Sequence, residues 1–193
     1  MTACRFPQRP SPAVDSKRTE RRLHLIDIEN LAGCPLPDAG LVRECRRRYI
    51  EITRPGGSDL VVVACSPRAA GKVMFEWPGA QRIIREGADG ADLALLGAWE
   101  DLASTGAGFS GAFIASGDDI FAPLAARMAG AGIEVTVVSR ADSLSCGLRI
   151  AARHVLCFDP VETGPAEVIP KWKTTQPRQA PIKAMAGLGG GIS

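Results

Sequence analysis

A chain of 193 residues is long enough for one domain with a sizeable core and short for two. Hydrophobic residues at 46% and charged residues at 23% are ordinary for a globular protein, and no apolar stretch approaches the roughly 20 residues that a membrane span needs. The net charge of +2 is unevenly spread: residues 1–22 carry six basic and two acidic side chains, residues 23–164 thirteen and eighteen, and residues 165–193 four and one. Basic ends around an acidic centre suit a carboxylate site whose polyanionic substrate is held by flexible arms.

Residues 1–22, "MTACRFPQRPSPAVDSKRTERR", hold no apolar run of the kind a secretory signal requires and read as a disordered basic arm of a cytoplasmic protein. Six cysteines without a C-x-x-C pair argue against a structural zinc site and a disulfide framework. From Leu23 the chain alternates short apolar runs with helix-like segments. "LHLIDI" (23–28) reads as a first strand, followed by a Gly/Pro loop. "DAGLVRECRRRYIEI" is a helix capped by Asp38, with Leu41, Val42, Cys45, Tyr49 and Ile52 on one face and Arg43, Arg46, Arg47 and Arg48 on the other. "DLVVVACS" supplies a buried strand, "PRAAGKVMFEW" a short helix and "AQRIIRE" a weaker strand. Residues 90–104 form a helix whose apolar face is read as Leu93, Leu96, Trp99 and Leu102. "GAFIAS" (111–116), a helix closed by glycine, "IEVTVVS" (133–139), a helix across 142–153 and "HVLCF" (154–158) complete the pattern. The expected fold is α/β, a three-layer α/β/α sandwich on a mainly parallel sheet of five or six strands, spanning residues 23–159. Residues 160–193, with five prolines and a "GLGGGIS" end, read as a flexible tail.

Three acidic signatures stand at the edges of apolar runs: "HLIDIENL", "GADGADLALL" and "ASGDDIFAPL". If the runs before the first and third are parallel strands, Asp27 and Asp118 emerge together at the carboxyl edge of the sheet, where open α/β folds place ligands. Clustered carboxylates repel, and a divalent cation relieves them, so a hard-metal site for phosphate chemistry is the first expectation. Asp89 and Asp92 share a helical face three residues apart; Asp92 is the preferred ligand because it directly precedes the apolar stripe, with Asp89 second. Each acid also has a structural reading as a turn or helix cap. Asn30 is placed to turn its amide toward the same cleft. No Walker loop, G-x-S-x-G or H-E-x-x-H motif occurs.

At these residues the sequence resembles the NYN family of the PIN-like nuclease superfamily, over roughly residues 23–158. "LIDIENL" is similar to the family's first strand, "GADGADLALL" to its central acidic helix start, and "FIASGDDIFAPLAARMAGAGIEVTVVS" to its Ser-Gly-Asp strand, helix and following strand. The resemblance implies a PIN-like fold and a metal-dependent ribonuclease. Its metal-binding acids fall on Asp27, Asp92 or Asp89, and Asp118, with Asn30 beside them. The ion implied is Mg²⁺ or Mn²⁺ and the partner RNA, single-stranded; a homodimer is compatible with the reading. Arg43, Arg46, Arg47 and Arg48 would contact the RNA backbone. The family's Ser-Gly-Asp-x-Asp-Phe places its second aspartate on Ile120, with Asp119 displaced by one position, about 100° around a helix start. That departure keeps a second reading open, a degenerate nucleic-acid-binding or interaction module. A haloacid-dehalogenase-type phosphatase is a third, weaker one because Glu29 stands where its first motif wants aspartate.

Overall fold

Alternation along the first strand decides the layering. Leu23, Leu25 and Asp27 point to one side of the sheet and His24 and Ile26 to the other, and all five are buried, as a central strand covered on both faces requires. The computed structural model describes residues 21–158, so the expectations for residues 1–20 and 159–193 lie outside the described residues. In chain order the elements are β1 (Arg22–Asp27), α1 (Ile28–Ala32), α2 (Ala39–Thr53), β2 (Leu60–Cys65), α3 (Pro67–Glu76), β3 (Gln81–Ile84), α4 (Gly90–Ser104), β4 (Gly111–Ala115), α5 (Ala122–Gly130), β5 (Glu134–Ser139), α6 (Cys146–Ala151) and β6 (His154–Cys157), with a 3-10 turn at Asp119–Phe121 before α5.

The six strands form one sheet in the order β3-β2-β1-β4-β5-β6, and every neighbouring pair is parallel. The chain builds outward from β1 to β3, then returns across the sheet to β4 and builds outward the other way. With right-handed crossovers this reversal puts the two sets of helices on opposite faces. Leu23, Leu25, Val62, Ile114 and Val137 accordingly pack with Leu95 and Trp99 of α4, Leu124 and Met128 of α5 and Leu148 of α6. Ile26, Val63, Ala115 and Val138 pack with Leu31, Val42, Tyr49 and Val73 of α1, α2 and α3. The expected α/β/α sandwich is the observed fold, with a sheet that is entirely parallel.

Several boundaries differ from the sequence reading. The first strand stops at Asp27, and Ile28 opens α1, a helix the glycine- and proline-bearing stretch had concealed. Arg22, counted with the N-terminal arm, is part of β1: its guanidinium and backbone N–H converge on Asp59 at 2.8–3.0 Å. The expected helix over 142–153 contracts to α6, capped by the Ser145 side chain on the Leu148 N–H. In α4 the buried face is Ala94, Leu95, Ala98 and Trp99, while Leu93 is 41% exposed. The helix is apolar on nearly every side, so period alone does not fix which leucines turn inward.

Candidate active site

The strand order reverses between β1 and β4, and the crevice beyond their carboxyl ends is where a doubly wound sheet receives its ligand. Register pairs Ile26 with Ala115, so Asp27 is level with Ser116, the first residue past β4. A cleft of about 350 Å³ opens there, lined by Asp27, Asn30, Asp89, Asp92 and Asp118, and also by Glu29 and Arg140. A second groove of about 400 Å³, between β3 and α4, is walled by Ile83, Ile84, Leu93 and Leu102 and gathers no comparable set of polar groups.

Asp27 ends a strand and precedes a helix, so its Oδ1 accepts the free N–H groups of Glu29 and Asn30, both at 3.1 Å. Asp118 likewise caps the 3-10 turn, its Oδ1 accepting the Ile120 N–H at 3.0 Å. The capping reading of both residues is therefore realised, yet each cap occupies one oxygen and a carboxylate has two. Parity aims Asp27 at the face covered by α4, whose first turn carries Asp92. The two carboxyls lie within hydrogen-bonding reach of each other. Asp92 Oδ1 is buried without a donor.

Two acceptors in contact repel unless a proton or a cation lies between them. Burial is the main cause raising the Asp27 carboxyl above its ordinary range; the Asn30 N–H opposes it, and repulsion from Asp92 and Glu29 adds to it. Asp92 is raised as well, first by burial and then by Asp118, Asp89 and Glu29. The pair thus holds a proton toward neutral pH. Among the described residues, no group of three or more His, Cys, Asp or Glu side chains is arranged to hold a metal ion. The structure brings Asp27 and Asp92 into contact and leaves Asp118 and Asp89 exposed on the rim of the same cleft.

The remaining predicted site residues separate. Asn30 lines the cleft, and its Oδ1 accepts the Gly117 N–H at 3.0 Å, tying the end of β1 to the loop after β4. Asp119 turns away, as the one-residue displacement predicts: it accepts the Ser145 hydroxyl at 3.0 Å, and a Cβ on Gly147 would lie 2.2 Å from its Oδ1. None of Arg43, Arg46, Arg47 and Arg48 lines the cleft. Arg43 forms a two-point ion pair with Glu76, Arg47 bridges Glu44 and Glu51, Arg48 pairs with Glu44, and the Arg46 Nε is buried without an acceptor. Much of the positive charge expected to face a polyanion is neutralised within α2 and across to α3.

Sequence reasoning missed two lining residues. Glu29 Oε1 accepts the Ser66 N–H at 2.9 Å and anchors the end of β2; its signal was the acid pair in "DIEN". Arg140 is the first residue past β5, the same strand-end position that singled out Asp27 and Asp118, but there only acids were sought.

Gly117 sets the spacing between the two loops at the rim. A Cβ there would stand 2.3 Å from the Ser143 carbonyl oxygen and 2.7 Å from the Ser139 hydroxyl, and its own carbonyl accepts the Ser145 N–H at 2.8 Å. Gly117→Ala must push backbone against backbone, so it is expected to cost roughly 1–3 kcal/mol and lower the thermal midpoint. A midpoint equal to the wild type would show that the loops yield freely.

No protein-family model matches the chain, and neither does any curated protein. Among solved structures it is similar to the crystal structure of VPA0982, a protein of unknown function from Vibrio parahaemolyticus, at 17% identity and a TM-score of 0.52. The match covers 75% of this chain and 96% of that one. At that identity the likeness is one of fold.

Proposed function

We propose that the cleft hydrolyses phosphodiester bonds of single-stranded RNA with a divalent cation, Mg²⁺ or Mn²⁺, in the cytoplasm. The observation that carries the reading is the Asp27–Asp92 pair at the switch point, Asp27 buried and Asp92 half-buried, with Asp92 Oδ1 sealed and lacking a donor. The oxygen-only acids suit a hard cation, and Asp27 and Asp92 would hold it, with Asp118 and Asp89 the further acids within the cleft. Bound there, such an ion polarises a phosphoryl oxygen and lowers the pKa of water. The chain's own part is to fix the groups: β1 and the α1 cap hold Asp27, the first turn of α4 holds Asp92, and Asn30 locks the β4 loop that carries Asp118. RNA as the substrate rests on the resemblance of the three acidic segments. Five cysteines among the described residues are free thiols, and Cys34, Cys146 and Cys157 among them are not buried, which supports a reducing compartment.

Ile120 and the outward turn of Asp119 favour a second reading, an RNA-binding module without activity. Labelled single-stranded RNA incubated with the protein and MnCl₂ separates the two. Cleavage that stops in chelator and falls roughly 100-fold or more in Asp92→Asn is the expected result. Binding without cleavage at any Mn²⁺ concentration establishes the module, and cleavage undiminished by chelator refutes the metal site.

A further inference from the structure

A cleft lined by Asp27, Glu29, Asp89, Asp92 and Asp118 repels the polyanion it is proposed to cut, and a cation held by two of these acids offsets only part of their charge. Among the described residues Arg140 is the single Lys, Arg or His side chain in that lining. Its position is built in. The backbone carbonyl of Arg140 accepts the Ser143 N–H at 3.2 Å and the Ser139 hydroxyl at 3.0 Å, which fixes the residue at the end of β5. The side chain is 18% exposed and lies across the end of α1, where a Cβ on Gly33 would meet its Nη1 at 1.4 Å. Gly33 is thus required twice, for its φ of +66° and for the space the guanidinium takes.

A guanidinium has five N–H donors in a planar fork. Here Nε donates to Asp142 Oδ1 at 3.1 Å, on a residue that is itself 67% exposed. Among the described residues Nη1 and Nη2 make no hydrogen bond, and neither is sealed from solvent as Arg46 Nε is. Arg140 lines the cleft, and its Nη1 lies beside Gly33, another lining residue. A fixed, partly desolvated fork with free donors is matched to an oxygen pair on a phosphate.

We infer that Arg140 is the phosphate-binding residue of this site, taking two non-bridging oxygens of the RNA backbone with Nη1 and Nη2 while Nε stays on Asp142. The inference rests on the nuclease reading above. It assigns the substrate contact to β5, where the sequence had pointed to the arginines of α2.

The experiment compares wild type, Arg140→Gln and Arg140→Lys. Binding of a fluorescein-labelled single-stranded 12-mer RNA is followed by anisotropy over a salt series in chelator, and cleavage of the same RNA is followed in MnCl₂. Arg140→Gln is expected to weaken binding roughly 10-fold, to reduce the salt slope by about 0.7, the value of one single-strand phosphate contact, and to lower kcat/KM further. Arg140→Lys keeps the charge and loses the fork, so the slope returns while kcat/KM stays depressed roughly 10-fold. If Arg140→Gln does not fold, Arg140→Lys decides. Wild-type affinity and kcat/KM in every folded Arg140 variant overturn the assignment while the nuclease reading stands. A wild type that neither binds nor cleaves RNA overturns the nuclease reading, and this inference with it.

Discussion

Asp27→Asn should leave the protein unable to cleave RNA and, without divalent cation, more resistant to heat at pH 7–8 than the wild type. Both effects come from one carboxylate. Asparagine keeps the oxygen that caps α1 through the Glu29 and Asn30 N–H groups, so the local fold survives the exchange. What disappears is a charge at 6% exposure pressed against Asp92. Burial raises the folded-state pKa of Asp27 above its unfolded value, and the sign follows: the folded chain binds more protons, so this contribution to stability is present below the ordinary carboxylate range and is lost as pH rises toward neutrality. At pH 7–8 the wild type carries the whole penalty, on the order of 2–4 kcal/mol before relaxation, and Asp27→Asn removes most of it. Thermal melts across pH in chelator, beside RNA cleavage in MnCl₂, give both readouts. A variant that melts lower than wild type at pH 7.5 would show that the pair is not a repulsive one, and a variant that still cleaves would remove Asp27 from the site.

That combination explains how much was legible in advance. Asp27, Asp92 and Asp118 stand out in the sequence because each interrupts or borders an apolar run, and a buried parallel strand that ends in an acid is a local signal. The parallel, doubly covered sheet was legible for the same reason, though its strand order was not: LHLIDI, LVVVAC, GAFIA and EVTVVS place apolar residues on both faces, which suits strands covered from both sides. Which oxygen of each acid is engaged, and by what, depends on loops that meet only in three dimensions. Asn30 bonds a residue 87 positions away, and Asp119 one 26 positions away. The arginines of α2 misled because helical period reports which residues share a face and not which glutamates on that helix and its neighbour reach them: Glu44, Glu51 and Glu76 do. Arg140 was hidden by the expectation of an all-acidic site.

At the opposite end of the sheet the same strand builds a polar cluster with no part in the cleft, and breaking it should be the costliest single change outside the apolar core. His24 follows the alternation of β1 into the α2 layer, where its ring is fully buried and stacks on Phe113 at 4.6 Å. Its Nδ1 lies 2.8 Å from the Tyr49 hydroxyl and its Nε2 3.3 Å from Asp59, an arrangement that suits the neutral ring with its proton on Nε2. Asp59, 2% exposed, also accepts from the Arg22 backbone and guanidinium and from the Gly56 N–H. Burial alone would raise its carboxyl, but these donors outweigh it and hold it at about 2. Asp59→Ala leaves Arg22, Gly56 and His24 without their shared acceptor and is expected to cost about 3–5 kcal/mol. Burial is likewise the largest influence on His24, lowering it to about 4 against the pull of Asp59. Because the folded pKa lies below the unfolded one, stability is intact above pH 6.5 and is lost as pH falls from there to about 4, by roughly 3 kcal/mol. The Asp59 contribution follows it below pH 4. Asp27 titrates over part of the same range with the opposite sign, so the wild-type profile alone mixes the two. Urea unfolding of wild type and His24→Phe at pH 7, 5.5 and 4 isolates the histidine: the phenylalanine keeps the stack on Phe113 and binds no proton, so the difference between the two proteins should shrink as pH falls. A difference that stays constant from pH 7 to 4 would mean that His24 binds its proton in the folded protein at least as readily as in the unfolded one, and that the cluster does not hold the ring neutral.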